Sequence, residues 1–268
     1  QAEDGIRDSV ASRGLGDVYK RQDIIRPTTY EEISSICLSD SERYVYPKYP
    51  NCDRGRCGWA PCADDASFVK MLIDIFKRNY NIRNVYMIGN SSGGTFVNSY
   101  VCKYPESITS AISINAMSRS GFGCTPNQPV NFISYASLKD TSVPPIGGVS
   151  ADGLFYETQE DLINSWVDKF ECKDKTSTTY KHYETFNENL FSDCLGGIKV
   201  ISILNLDSDH MWPEAGYNKD NGISSYTNYG TCVTDIQNEF KIPKCYRTND
   251  RWGSEFILKK LFEINNLN

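Results

Sequence analysis

Between residues 84 and 101 a short apolar run meets a cluster of glycines and serines, and then an apolar pattern of a different period. In Asn84-Val-Tyr-Met-Ile-Gly-Asn-Ser-Ser-Gly-Gly-Thr-Phe-Val-Asn-Ser-Tyr, Val85, Tyr86, Met87 and Ile88 have the continuous apolar character of a strand buried on both faces. Phe96, Val97, Tyr100 and Val101 then recur at helical spacing. The chain must pass from strand to helix within Gly89-Asn90-Ser91-Ser92-Gly93, which puts Ser91 at the apex. A turn this sharp brings backbones close together, so side chains at Gly89 and Gly93 are expected to clash. Ser91 is the candidate nucleophile of a strand-turn-helix elbow. The N–H of Ser92, at the start of the helix, is the candidate donor to a developing oxyanion. The same residues also suit an ordinary glycine-rich βα turn, and the remainder of the chain has to separate the two.

The flanking pattern points to an α/β protein with a mostly parallel sheet and helices on both faces. Thr28 to Leu38 suits a short helix, and Arg43-Tyr-Val-Tyr a strand ended by Pro47. Lys48 to Cys62, with its prolines, glycines, Trp59 and three cysteines, reads as a surface loop. Over Ala63 to Tyr80 the stripe Phe68, Val69, Leu72, Ile73, Phe76 and Tyr80 predicts an amphipathic helix, with Asp64 and Asp65 at its positive end. Ile108–Ile114, Val130–Ala136 and Ile198–Leu204 predict further strands. Tyr156–Phe170 and Ser254–Phe262 predict helices. Alternating strands and helices in this order build a doubly covered sheet, with chemistry expected beyond the carboxyl ends of the strands.

A serine nucleophile needs a base, and the chain has two histidines. His210 follows the strand Ile198–Leu204 by the short polar loop Asn205-Leu-Asp-Ser-Asp, at the sheet edge where Ser91 is expected. His182 alternates with aromatics in Tyr180-Lys-His-Tyr-Glu-Thr-Phe and looks like one face of a strand. The orienting carboxylate comes between serine and histidine in chain order in such folds. Asp140 qualifies, directly after the strand Val130–Ala136. Asp152, Asp161 and Asp168 fall in a loop or on a helix, while Asp207 and Asp209 lie too near His210 to be the expected partner.

Composition narrows the function classes. Across 268 residues the net charge is -6, with no dense cluster of lysine and arginine, which argues against a nucleic-acid partner and favours a neutral or polymeric substrate. No apolar run reaches membrane-spanning length, so no membrane partner is expected. Ten cysteines lack paired metal-ligand spacing, so disulfides in an oxidising compartment are expected and neither a metal nor a cofactor is. Cys232 with Cys245 is the first choice of pair, closing a short loop.

Several stretches together resemble the esterases grouped with polyhydroxybutyrate depolymerases and feruloyl or acetyl-xylan esterases, of the α/β-hydrolase fold. Ala63-Asp-Asp-Ala-Ser-Phe is similar to that family's helix start, and Val85-Tyr-Met-Ile-Gly-Asn-Ser-Ser-Gly-Gly to its serine elbow. Asp140-Thr-Ser-Val-Pro resembles its acid loop, and His210-Met-Trp-Pro its histidine segment. The resemblance runs from about Tyr44 to Trp212 and implies Ser91 as nucleophile, Asp140 as acid and His210 as base. Trp212 would line the site, and Trp59 is a second candidate platform for substrate. A secreted esterase acting on feruloyl or acetyl esters of plant cell-wall xylan is the implied function. A polyhydroxyalkanoate-type depolymerase is the alternative, and a non-catalytic carbohydrate-binding protein on the same fold is the alternative of another class.

The amino terminus departs from that pattern. Residues 1–22 carry no apolar periodicity and resemble translated sequencing-adapter sequence, so they are expected to stay outside the sheet, with residues 23–268 forming the esterase domain. The family's early strands and its His-Gly type loop, which supplies a second oxyanion donor, have no counterpart before Arg43. The expectation is an incomplete domain with little or no esterase activity.

Overall fold

A computed structural model of the chain describes residues 65–118, 123–151, 154–182, 184–213, 232–233, 244–245 and 252–267. The leader 1–22, the helix and strand expected between Thr28 and Tyr46, the cysteine-rich loop and Trp59 lie outside the described residues. The apolar runs become strands because each is apolar on both sides and must be covered twice. In chain order the elements are α1 (Asp65–Asn79), β1 (Tyr86–Asn90), α2 (Ser92–Lys103), β2 (Ser110–Ile114), β3 (Asn131–Ser137), β4 (Gly148–Val149), β5 (Phe155–Tyr156) and α3 (Gln159–Lys169). They continue with β6 (Asp174–His182), β7 (Glu184–Ser192), β8 (Val200–Asn205), β9 (Cys232–Val233), β10 (Lys244–Cys245) and α4 (Trp252–Ile264).

Six strands form one sheet in the order β1-β2-β3-β8-β7-β6. β1, β2, β3 and β8 run parallel, and β7 and β6 join antiparallel. The register lines up Ile88 with Ile112, Ile112 with Ile133 and Ile133 with Ile201. That row faces the helix α4, where Phe256, Ile257, Leu261 and Ile264 complete the core. The alternate residues Met87, Ala111, Phe132 and Val200 face α2 and α3 through Val97, Tyr100, Val101, Leu162 and Trp166. Trp166 lies flat on Phe132, with ring centroids 4.2 Å apart. The period-two pattern of the strands thus sorts side chains into two apolar layers, each closed by helices.

Several expected elements shift for local reasons. α3 begins at Gln159 rather than Tyr156 because Thr158 caps it: the Thr158 hydroxyl accepts from Asp161 N–H at 2.8 Å, and the Asp161 carboxylate accepts from Thr158 N–H at 3.0 Å. Tyr156 instead pairs with Gly148 in a two-stranded ribbon. The stretch 180–186 is not one strand. His182 pairs with Glu184, so the chain reverses between them and β6 and β7 form a hairpin. On α1 only Val69 of the predicted stripe is buried, and Phe68 and Phe76 stay about half exposed.

Disulfides join Cys102 to Cys124 and Cys172 to Cys194, and none of the described cysteines is free. The first tethers the end of α2 to the loop after β2, and the second ties the segment after α3 to the end of β7. β9 and β10 set the backbones of Cys232 and Cys245 opposite each other; a bond between those two side chains lies outside what is described.

Candidate active site

The site lies past the carboxyl ends of β1, β3 and β8. Ser91 joins β1 to α2 with φ 55° and ψ -122°, a strained backbone for a residue with a side chain. Two hydrogen bonds hold it there: Ser91 N–H donates to the Ile114 carbonyl at 2.9 Å, and Thr95 N–H donates to the Ser91 carbonyl at 3.0 Å. Glycine is needed at 89, where a Cβ would stand 2.2 Å from the Gly93 carbonyl oxygen. The second required glycine is Gly94 and not Gly93 as expected. A Cβ at 93 meets nothing within 4 Å, whereas one at 94 would stand 2.5 Å from Ala116 Cβ, because the helix turns its 94 face onto the chain leaving β2.

Asp140 follows β3 in a turn closed by its own N–H donating to the Ser137 carbonyl at 3.1 Å. Its Oδ1 accepts from the N–H groups of Ser142 and Val143, both at 2.8 Å. This leaves Oδ2 aimed at His210 Nδ1, 2.6 Å away, with the Asp140 side chain 1% and His210 21% exposed. His210 Nε2 lies 2.7 Å from Ser91 Oγ. An ionised carboxylate only accepts, so Nδ1 carries the imidazole proton and the Nε2 lone pair faces the serine hydroxyl. Such an arrangement can take a proton from Ser91 and stabilise the imidazolium that results.

Ser92 opens α2, and the N–H groups of a helix's first turn have no carbonyl within the helix to bind, so they face outward at its positive end. His182 sits apart at the end of β6, its ring stacked 5.9 Å from Phe256. Asp207 and Asp209 are not brought to the imidazole. Asp207 accepts instead from Thr185 N–H at 2.7 Å, a bond that holds its carboxyl below the usual range. Trp212 packs against the α4 side of the core and donates from its indole to Ser254 Oγ at 3.2 Å.

Beneath the site lies a polar cluster that the sequence did not single out. Glu184, Asn205 and Tyr135 share hydrogen bonds, Asn205 Nδ2 donating to the Tyr135 hydroxyl at 2.7 Å and to Glu184 Oε2. Burial pushes the Glu184 carboxyl up and the Tyr135 phenol well above its ordinary value. Asn115, fully buried just past β2, donates from Nδ2 to the Met211 carbonyl at 2.5 Å. The one sequence signal for this cluster is Asn205-Leu-Asp-Ser, whose asparagine can close a turn onto the N–H two residues on.

A serine on a strained strand-to-helix turn, bonded through histidine to a buried aspartate across a mostly parallel sheet, is the arrangement of the α/β-hydrolase fold, and this chain has that fold. A family model described as the alpha/beta hydrolase fold matches residues 37–142. Among solved structures the chain is similar to an acetyl xylan esterase from Aspergillus awamori, at 14% identity and a TM-score of 0.41, covering 56% of this chain and 63% of that one. The match thus spans less than two-thirds of that esterase's length. No curated protein matches the chain.

Proposed function

We propose that this chain is a serine carboxylic-ester hydrolase in which Ser91 is the nucleophile, His210 the general base and acid, and Asp140 the residue that orients the imidazole. The observation that carries the reading is the unbroken relay Ser91 Oγ, His210 Nε2 and Nδ1, Asp140 Oδ2, at 2.7 and 2.6 Å on a strained elbow. Ser91 Oγ attacks the ester carbonyl carbon as His210 Nε2 takes its proton. The carbonyl electrons move to oxygen, and the Ser92 N–H at the start of α2 donates to that oxyanion. His210 gives the proton to the departing alcohol, leaving an acyl group on Ser91. A water, deprotonated by His210, then attacks the acyl carbon, and the acid leaves as Ser91 recovers its proton.

The substrate reading is a feruloyl or acetyl ester on cell-wall xylan. Its support is the likeness of Asp140-Thr-Ser-Val-Pro and His210-Met-Trp-Pro to the acid and histidine segments of esterases of that group. The disulfides Cys102–Cys124 and Cys172–Cys194 suit an oxidising, extracytoplasmic setting. The test is turnover of an aryl acetate, acetylated xylan, a feruloylated arabinoxylan fragment and a polyhydroxybutyrate film by the parent chain and by Ser91→Ala. Release of acetate or ferulate that vanishes in the variant is expected. Release from polyester alone would move the reading to a depolymerase. Equal turnover by both chains, or xylan binding without turnover, would overturn it.

A further inference from the structure

We propose that Asn115 and Asn205 are positioning residues that grip the histidine loop at its two ends and set His210 at bonding distance from both Ser91 and Asp140. This rests on the reading of those three residues as the catalytic group.

Asn205 closes β8 and is fully buried, with its amide bonded on both sides. Oδ1 accepts from the N–H groups of Asp207 at 2.9 Å and Ser208 at 3.2 Å, fixing the entry to the loop. Nδ2 is held in turn by Tyr135 and Glu184, so the amide cannot rotate without breaking bonds on both sides. The Asn205 carbonyl accepts from Leu138 N–H at 2.7 Å, and the Ser208 carbonyl from Lys139 N–H at 3.1 Å. One residue therefore sets the register of the loop carrying the base against the turn carrying the acid.

Asn115 holds the far end. Its φ of 46° is a left-handed conformation that asparagine accepts more readily than most residues. Its N–H donates to the Tyr135 carbonyl at 2.7 Å, and Nδ2 reaches the carbonyl of Met211, the residue directly after His210. Oδ1 of the same amide is buried without a hydrogen-bond partner. An apolar residue would avoid that cost, so the amide is explained by what Nδ2 does and not by packing. Tyr135 of β3 bonds to both asparagines, by its carbonyl to one and its hydroxyl to the other, so the grip spans the adjacent strands β2, β3 and β8. A shift of about 1 Å in a catalytic group can cost about a hundredfold in rate. Five residues, 206 to 210, lie between Asn205 and Met211, and Met211 N–H donates back to the Asp209 carbonyl at 2.7 Å.

The test measures phosphonylation of Ser91 by a fluorophosphonate ester, read by intact mass, together with the downfield proton resonance of His210 Nδ1 bonded to Asp140. Asn115→Gly accepts the left-handed backbone but loses the tether. It and Asn205→Leu are expected to lower the limiting labelling rate about a hundredfold, leave the half-saturating probe concentration unchanged, and broaden or abolish the resonance. Asn205→Asp keeps the acceptor for Asp207 and Ser208. Combined with Glu184→Gln, which returns a donor opposite the new carboxylate, it should restore labelling to within a few-fold of the parent. Should Asn205→Leu fail to fold, Asn115→Asp, of equal size but with a carboxylate facing the Met211 carbonyl, carries the test instead. Parent-like labelling and resonance in the folded Asn115→Gly or Asn115→Asp chain, and in Asn205→Leu where it folds, would overturn the proposal. If Ser91→Ala keeps full hydrolysis, the catalytic reading fails while the resonance still reports whether the asparagines set the imidazole.

Discussion

Replacing Asp140 by asparagine should trap His210 in a tautomer that cannot act as a base. The asparagine has two orientations. In one, its oxygen keeps the bonds from Ser142 and Val143 N–H, and its NH₂ group faces His210 Nδ1. Nδ1 must then accept, the imidazole proton moves to Nε2, and that nitrogen points a hydrogen at Ser91. In the other orientation the oxygen faces Nδ1 and the imidazole stays competent, but the part-buried N–H of Ser142 and the buried N–H of Val143 meet a donor. Each orphaned buried N–H costs about 1–3 kcal/mol, so the incompetent orientation is favoured by about 2–6 kcal/mol. At about 1.4 kcal/mol per tenfold, Asp140→Asn leaves between about one molecule in 30 and one in 20,000 competent. The turn keeps its hydrogen bonds, so the thermal midpoint should stay near that of the parent. The assay is single-turnover phosphonylation of Ser91 at neutral pH in parent and variant, with thermal unfolding alongside. A variant that labels at more than a third of the parental rate would refute the tautomer argument. A variant that loses most of its stability would show that the Asp140 charge, and not its two accepted hydrogen bonds, holds the turn.

The two glycines of the elbow should respond oppositely. Gly89→Ala forces a Cβ against the Gly93 carbonyl and should cost about 1–3 kcal/mol by urea unfolding, whereas Gly93→Ala enters open space on a helix and should be neutral or stabilising by up to about 1 kcal/mol; equal losses would show that the turn is set otherwise. Serine at both Cys172 and Cys194 removes a bridge across 22 residues and should lower stability by about 3 kcal/mol, read from the urea midpoint against the parent under non-reducing conditions. Glu184 carries a folded-state pKa raised above 4.5 by burial, so the folded chain holds that proton more tightly than the unfolded one. Stability contributed by the protonated form is then lost as pH rises from the ordinary glutamate range through the raised value. Glu184→Gln should flatten that part of the stability profile, and an unchanged slope would contradict it.

The parallel core was legible because its strands are uniform: Met87, Ile112, Ile133 and Ile201 are apolar on either side of the sheet, and buried strands need no alternation to be recognised. That Ser91, His210 and Asp140 come together at one edge of the sheet was legible from the places of Ser91 and His210 after a strand and of Asp140 in chain order. The hairpin β6–β7 was not, because its outer strand, Asp-Lys-Thr-Ser-Thr-Thr-Tyr-Lys-His, is polar except for Tyr180 and is held by the ladder to β7 more than by burial. Cysteine pairing escaped for a different reason. Both observed bridges have a sequence separation of 22, and nothing local marks Cys102 for Cys124 over any other partner. Asn115 and Asn205 are invisible to periodicity, since their roles depend on which carbonyls and N–H groups three non-sequential strands bring within reach. The error at Gly93 has the same source: the clash that matters at 94 is with Ala116, on the next strand's exit.

The partners of the relay are 70 and 119 positions apart, and β8 reaches β3 only after α3 and a complete antiparallel hairpin have been threaded past. Parallel pairing across such a span has to meet the entropy of closing a long loop before any contact returns it. Ser91 and the strained turn around it depend only on β1, β2 and α2, so the elbow can be complete while its hydroxyl is still an ordinary alcohol. On the proposed mechanism, reactivity arrives with the most distant pairing in the sheet, and a chain halted short of that step carries a serine without its base.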